Sequence, residues 1–346
     1  MNERFAYIQQ MVFAKTLREH GVEFENYKAN RGIKRQLDSE IGSSSREVLR
    51  ANRALGLPED NYELFPEKLY VARKLRAGAS IAATFNTTGT AATFNAVHAY
   101  LQSKTAAQVE SERRIQPGDY IDLPAITVAG TTVTDQPITK APFEGYEGRL
   151  LRLIVVGVNS FNGKNGNGTS AHLVFQFQNV AFEHPMNPAT EKDKYGTVKG
   201  GYRDSAMRAY ILGDFLPGLI AAGVPESILW GPKRMVWNEV GAKDAAEISD
   251  KLWLPTEWEI FGGNTWTSTI SSTYETEENQ ARFAYYDDYD VRLKYNSSSD
   301  RSSRYWLASI DERLHARSFL YTDRGHHVGT GNPDFIWGCV PAFCVR

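Results

Sequence analysis

A chain of 346 residues, 42% of them hydrophobic, holds enough apolar material for two packed domains. Its 39 basic residues are balanced by 41 acidic ones, so no excess charge draws it to phosphate or to an anionic membrane, and nucleic acid is not an expected partner. No stretch approaches the roughly 18 uninterrupted apolar residues of a membrane span, and Met1-Asn2-Glu3-Arg4-Phe5 lacks the apolar core of a secretory signal; the expectation is synthesis in the cytoplasm without membrane insertion.

Residues 1–116 read as a mainly helical segment. Phe5, Ile8, Met11 and Val12 share one helical stripe that closes at Gly21, and Ser44 with Glu47 has the spacing of a capping box ahead of Val48, Leu49 and Leu55. Leu69, Ala72 and Leu75 form a third stripe ended by Gly78. Phe94, Val97 and Leu101 form a fourth, preceded by the loop Thr87-Thr88-Gly89-Thr90. Such short helices suit an assembly or attachment segment.

Near Pro117-Gly118 the period changes, which puts the domain boundary at 116/117. Asp119 to Leu123 alternates, and Leu150 to Val158 is a run of apolar β-formers broken only by Arg152 and Gly157. The polar loop Asn162 to Gly168 then leads to His172-Leu173-Val174-Phe175-Gln176-Phe177, a second strand, and the pair reads as a hairpin with a long, flexible tip. A helix capped by Asp204 or Ser205 buries Met207, Tyr210 and Ile211 and is expected to stop at Gly213. A second, capped by Asp214 with Pro217 in its first turn, is expected to stop at Gly223. Helices between strand pairs make this an α+β pattern. Beyond residue 262 the chain is rich in Ser, Asn, Asp, Gly, Arg and Tyr but keeps apolar anchors at Tyr305-Trp306-Leu307, Phe319, Phe335-Ile336-Trp337 and Val340 to Phe343, which predicts core strands joined by long polar loops.

Five strings carry a resemblance. They are His184-Pro185-Met186-Asn187, Gly200-Gly201-Tyr202-Arg203-Asp204-Ser205-Ala206-Met207-Arg208, Leu252-Trp253-Leu254-Pro255-Thr256-Glu257, Tyr305-Trp306-Leu307-Ala308-Ser309 and Gly338-Cys339-Val340-Pro341-Ala342-Phe343-Cys344. In order and spacing, residues 117–346 resemble C-type-lectin-like domains, the broad fold shared by formylglycine-generating enzymes, and in particular the variable proteins of diversity-generating retroelements. Two positions depart from that pattern: Ala308 stands where a basic residue is usual, and Ile310 where proline is usual.

The resemblance implies a ligand-binding domain whose C-terminal segment, about 300–346, is rewritten at adenines by an error-prone reverse transcriptase. Asparagine codons edited in this way end in a pyrimidine and cannot encode Lys, Gln, Met, Trp or Glu; Ile310 to Ile336 contains none of the first four and the single Glu312. The residues expected to contact ligand are Ala308, Ile310, Asp311, Arg313, His315, Arg317, Tyr321, Asp323, Arg324, His326, His327, Thr330, Asn332 and Asp334, with Phe319, Phe335, Trp337 and Val340 holding the backbone down and Trp306 beneath. Tyr and Arg supply interface energy and Asn, Ser and Gly adaptable polar contacts. The implied setting is a phage or prophage tail, alternatively a bacterial cell surface. The implied partners are a host-surface protein or other surface ligand, other tail proteins, and copies of the chain itself, trimers occurring in the family.

Other chemistries find less support. Asp323 with His326-His327 lacks any zinc spacing, and Asp287, Asp288 and Asp290 lack the glycine-bearing loop of a calcium site, so no metal and no cofactor is expected. The tripeptides of calcium-dependent sugar binding, Glu-Pro-Asn and Trp-Asn-Asp, are absent. No nucleophile elbow, P-loop, dinucleotide fingerprint or metalloprotease motif occurs, so no catalytic residue is assigned. The enzyme class that stays as an alternative is the formylglycine-generating type, which works through a cysteine pair; a purely structural tail component is another. Cys339 and Cys344, about 16 Å apart on extended chain, read instead as two buried thiols flanking Pro341 in a final core strand.

Overall fold

The computed structural model describes residues 78–138, 148–237, 245–262, 281–287, 292, 294–295, 303–310, 318–323 and 327–346. Among them the chain is mixed α and β, mostly sheet with few helices. It opens with α1 (Ile81–Phe85), α2 (Thr90–Gln102) and α3 (Ala106–Glu112). Their starts are written locally. The Ser80 side chain accepts from the Ala83 N–H, and Thr105 and Gln108 form a reciprocal capping box. The stripe expected on α2 is buried, with Phe94 and Val97 fully enclosed.

β1 (Tyr120–Asp122) begins the main sheet. The hairpin β2 (Ala125–Val128) and β3 (Thr131–Thr134) and the ribbon β4 (Pro137–Ile138) and β5 (Gly148–Arg149) leave it before β6 (Arg152–Val158) and β7 (Leu173–Phe177) return. After β8 (Phe182–His184) comes a helical stretch: α4 (Ala206–Tyr210), a π-helical turn (Ile211–Phe215) and α5 (Leu216–Ala221). Then follow β9 (Leu229–Trp230), the hairpin β10 (Arg234–Trp237) and β11 (Ala245–Ile248), β12 (Leu252–Trp253) and α6 (Glu257–Phe261). The last strands are β13 (Tyr305–Ile310), β14 (Phe319–Asp323), β15 (His327–Gly331), β16 (Trp337–Cys339) and β17 (Ala342–Val345).

Two sheets organise these strands. The first runs β1-β6-β7-β17-β12 with β9 also on β17; the second runs β15-β14-β13-β16-β8. Strands β7 and β17, at the middle of the first, are buried along their whole length, which is why their sequences read as apolar runs. Phe175 and Phe343 stack across them with ring centroids 5.5 Å apart, and Phe94 of α2 meets Phe175 edge-on at 5.4 Å. Each such ring contributes on the order of 2 kcal/mol through burial.

Four expectations need correction. The compact unit spans Gly78–Tyr286 and Val291–Arg346, so the boundary is not at 116/117: α1 to α3 belong to the sheet domain because Phe94 completes its core. Residues 1–77, and with them the first helical stripes, lie outside the described residues. The tip between β6 and β7 is tied down, since the Asn167 amide donates to the Lys233 carbonyl at 2.9 Å and accepts its N–H at 2.7 Å. Nor does Gly213 end a helix. Ser205 caps α4, and the coil then widens instead of stopping, with the Leu216 N–H reaching five residues back to the Ile211 carbonyl. This π-helical turn leads directly into α5, where Pro217, which lacks an N–H, sits in the first turn. The stop at Gly223 (φ 103°) holds. Finally, Cys339 and Cys344 are both buried thiols as expected, but they sit on β16 and β17, in different sheets.

Candidate functional site

At one end of the second sheet, aromatic rings gather where β13, β14, β15 and β16 meet. Trp306 and Trp337 lie 4.4 Å apart, Tyr321 approaches Trp337 at 4.1 Å, and Phe335 lies 5.2 Å from Trp337 on the outer side. The Arg304 guanidinium stands over Tyr321 and Trp337 at 5.2 and 5.5 Å. Two glycines of β15 make room for these rings: a Cβ on Gly331 would fall 2.2 Å from the Trp337 ring, and one on Gly329 2.5 Å from that of Tyr321. Trp306 is fixed from below, its Nε1–H donating to the His184 carbonyl of β8 at 3.1 Å.

A second chain segment is stitched to this end. The Asn187 N–H donates to the Pro333 carbonyl at 3.0 Å, and the Asp334 N–H to the Tyr195 carbonyl at 3.3 Å. Gly196 closes the seam at φ 74°, so tight that a Cβ there would sit 2.4 Å from the Asn187 carbonyl oxygen. The seam brings together the exposed large apolar side chains found among the described residues: Tyr195, Phe335 and Ile336, 54%, 43% and 66% exposed. Beside them one carboxylate oxygen of Asp334 is buried without a hydrogen-bond donor. An apolar step of three side chains with half-buried polar groups beside it is the kind of surface that proteins use for contact.

The residues expected to touch ligand fare unequally. Ala308 and Ile310 are buried, 1% and 0% exposed, and cannot contact a ligand from the surface. β13 is an internal strand whose two faces are both covered, so all six of its residues are buried. Tyr321 is about 9% exposed and packs into the aromatic cluster. Thr330, Asn332 and Asp334 are half-buried at the end of β15 and in the following turn. Asp323 and His327 pair as the last rung of the β14–β15 ladder; their side chains lie outside what is described, as do Asp311, Arg313, His315, Arg317, Arg324 and His326. Phe335, expected as an anchor, is exposed instead, while Phe319 and Val340 are buried as anchors should be. Ile336, named with the same anchors, is exposed too, and Tyr195 is not among the expected residues.

Elsewhere the chemistry is internal. The Cys339 and Cys344 thiols are pushed well above their ordinary range by burial. A cleft of about 530 Å³ beside α2 is lined by Thr90, Thr93, Asp122, Asp135 and Arg149, and its carboxylates pair with Arg152 and Arg149. Among the described residues no three His, Cys, Asp or Glu side chains are placed to hold a metal ion, and no helix is long and apolar enough to cross a membrane. Comparison with known family profiles, with curated proteins and with solved structures returns no match.

Proposed function

We propose that this chain is a receptor-binding protein: a C-type-lectin-like domain that presents a variable C-terminal surface to a host-surface protein or similar ligand, carried on a phage or prophage tail or on a bacterial surface. The observation that carries the reading is the apolar step of Tyr195, Phe335 and Ile336 above a packed aromatic floor, stitched to the turn that holds Asn332 and Asp334. Fixed rings below and exposed, chemically mixed side chains above separate folding from recognition. Substitutions in the outer set then change the ligand without unfolding the scaffold. The absence of Lys, Gln, Met and Trp from Ile310 to Ile336 supports the same reading at the level of codons.

The test is a cell-binding assay with fluorescent full-length protein on a panel of bacterial strains. On a strain that the parent chain labels, the triple change Tyr195→Ser, Phe335→Ser, Ile336→Ser is expected to weaken binding by at least about tenfold, as loss of central apolar contacts does, with an unchanged melting midpoint. Equal labelling by the triple variant would overturn the assignment of this surface. Sequencing the gene across a growing population tests the variability, with substitutions expected at adenines in the C-terminal segment, about codons 300–346.

A further inference from the structure

Among the described residues, the hairpin of β2 and β3 leaves one strand edge unused. Its reversal is a two-residue turn at Ala129 and Gly130, both left-handed at φ 48° and 80°, the backbone that matches the twist of a tight hairpin. The register sets Val128 opposite Thr131 and Ile126 opposite Val133, and the Asp135 N–H donates to the Pro124 carbonyl. Thr131, Val133 and Asp135 therefore direct their backbone groups toward β2. Alternation turns those of Thr132 and Thr134 the opposite way, and neither group has a hydrogen-bond partner among the described residues. Both side chains are exposed and Val133 is half-buried.

Natural sheets blunt such an edge with lysine, proline, a bulge or a covering element. From Ala125 to Thr134 the chain has no charge and no proline, and the ladder shows no shift of register. Seven of those ten residues are β-branched, the type that suits a paired strand.

We propose that β3 is a homotypic docking edge, pairing antiparallel with β3 of a second copy of this chain about a two-fold axis through Val133. The sequence is its own complement there, because Thr132-Val133-Thr134 reads the same in both directions. Thr132 exchanges both backbone hydrogen bonds with Thr134 of the second copy, and Thr134 with Thr132. Val133 meets its counterpart as a non-hydrogen-bonded pair, where side chains approach closest. Two marginal ribbons become one sheet of four strands. A second copy suits this edge better than a foreign strand, since the self-match places like against like without opposing charges and covers Val133 twice over. The proposal is independent of the receptor-binding reading, which places its ligand on the second sheet, of which the hairpin is no part.

Analytical ultracentrifugation of the full chain across a wide concentration range is expected to show a monomer–dimer equilibrium. Val133→Lys sets two like charges opposite each other on the axis and is expected to raise the dimer dissociation constant by at least about tenfold. Thr132→Pro deletes an outward N–H that the hairpin does not use, which an edge strand tolerates, and is expected to have the same effect. In the parent chain itself, hydrogen exchange at the Thr132 and Thr134 amides is expected to quicken on dilution. A chain that stays monomeric throughout, or a dimer whose dissociation constant neither variant changes and whose edge amides ignore dilution, would overturn the proposal; the latter result assigns the contact to another surface.

Discussion

Lys294 has no exposed surface, and among the described residues its Nζ meets the Phe177 carbonyl at 3.5 Å and the Tyr286 ring at 5.2 Å. Among the described residues no carboxylate pairs with it, and burial pulls its ammonium from 10.5 down to about 7. His172 is held in a similar way: its Nε2 accepts the Phe161 N–H at 3.1 Å, so Nδ1 carries the proton toward the Ser170 carbonyl, and burial lowers its pKa to about 4. For a base whose pKa is depressed by folding, the unfolded chain binds more protons between the two values, so stability rises with pH across that window. His172 acts from about 4 to 6.5 and Lys294 from about 7 to 10.5. Lys294→Met is therefore expected to raise the melting temperature most below pH 7 and to flatten the rise above it, as read by thermal melts at a series of pH values. No sequence signal singles out Lys294, because its neighbours Tyr295 and Asn296 read as polar loop; only the fold encloses it.

At the scale of the element, the aromatic cluster depends on β15 having no side chain at two places. Gly331→Ala forces a methyl group against the Trp337 ring and is expected to cost ~1–3 kcal/mol, as overpacking does, with a change in tryptophan fluorescence. Gly213→Ala is the contrasting case. A Cβ there meets nothing within 4 Å, so alanine's better helix propensity is expected to leave stability level or raise it by ~0.5–1 kcal/mol. Denaturant midpoints check both. The elements themselves were largely legible: the apolar run at 150–158, the β7 strand and the Phe94 stripe all form where their patterns put them, because such patterns depend only on which faces are covered. The π-helical turn was not, since local rules make Gly213 a stop and Asp214 a fresh cap, and only packing against the sheet carries the helix past them. For the same reason Ala308 and Ile310 misled. Alternation says which side chains share a face, and what packs over that face decides whether it meets water.

The unit that begins at Gly78 is held by contacts between distant parts of the chain. Phe94 rests on Phe175 and Phe343, so a fragment that starts at residue 78 is expected to unfold in one cooperative transition, whereas one that starts at 117 is expected to bind a hydrophobic dye and melt without a sharp midpoint. Differential scanning calorimetry separates the two outcomes. The buried Arg234–Glu259 pair, with Nη2 and Oε2 2.6 Å apart, joins α6 to the β10 hairpin in the same manner. What stayed illegible at this scale is the inclusion of α1 to α3, because a change of period marks a change of element and only the core marks a domain.

The strand β17 lies between β7 and β12 in the main sheet, yet it is made last of the three. During synthesis β7 emerges first and then waits on the order of ten seconds or more at ribosomal speeds before residue 345 exists to pair with it. Throughout that interval Phe175 and Phe94 have no Phe343 to close over them, and the bare strand is open to the wrong neighbours. A chain built in this order cannot close its main sheet until residue 345 has been made, and the length of that interval is set by the position of one four-residue strand.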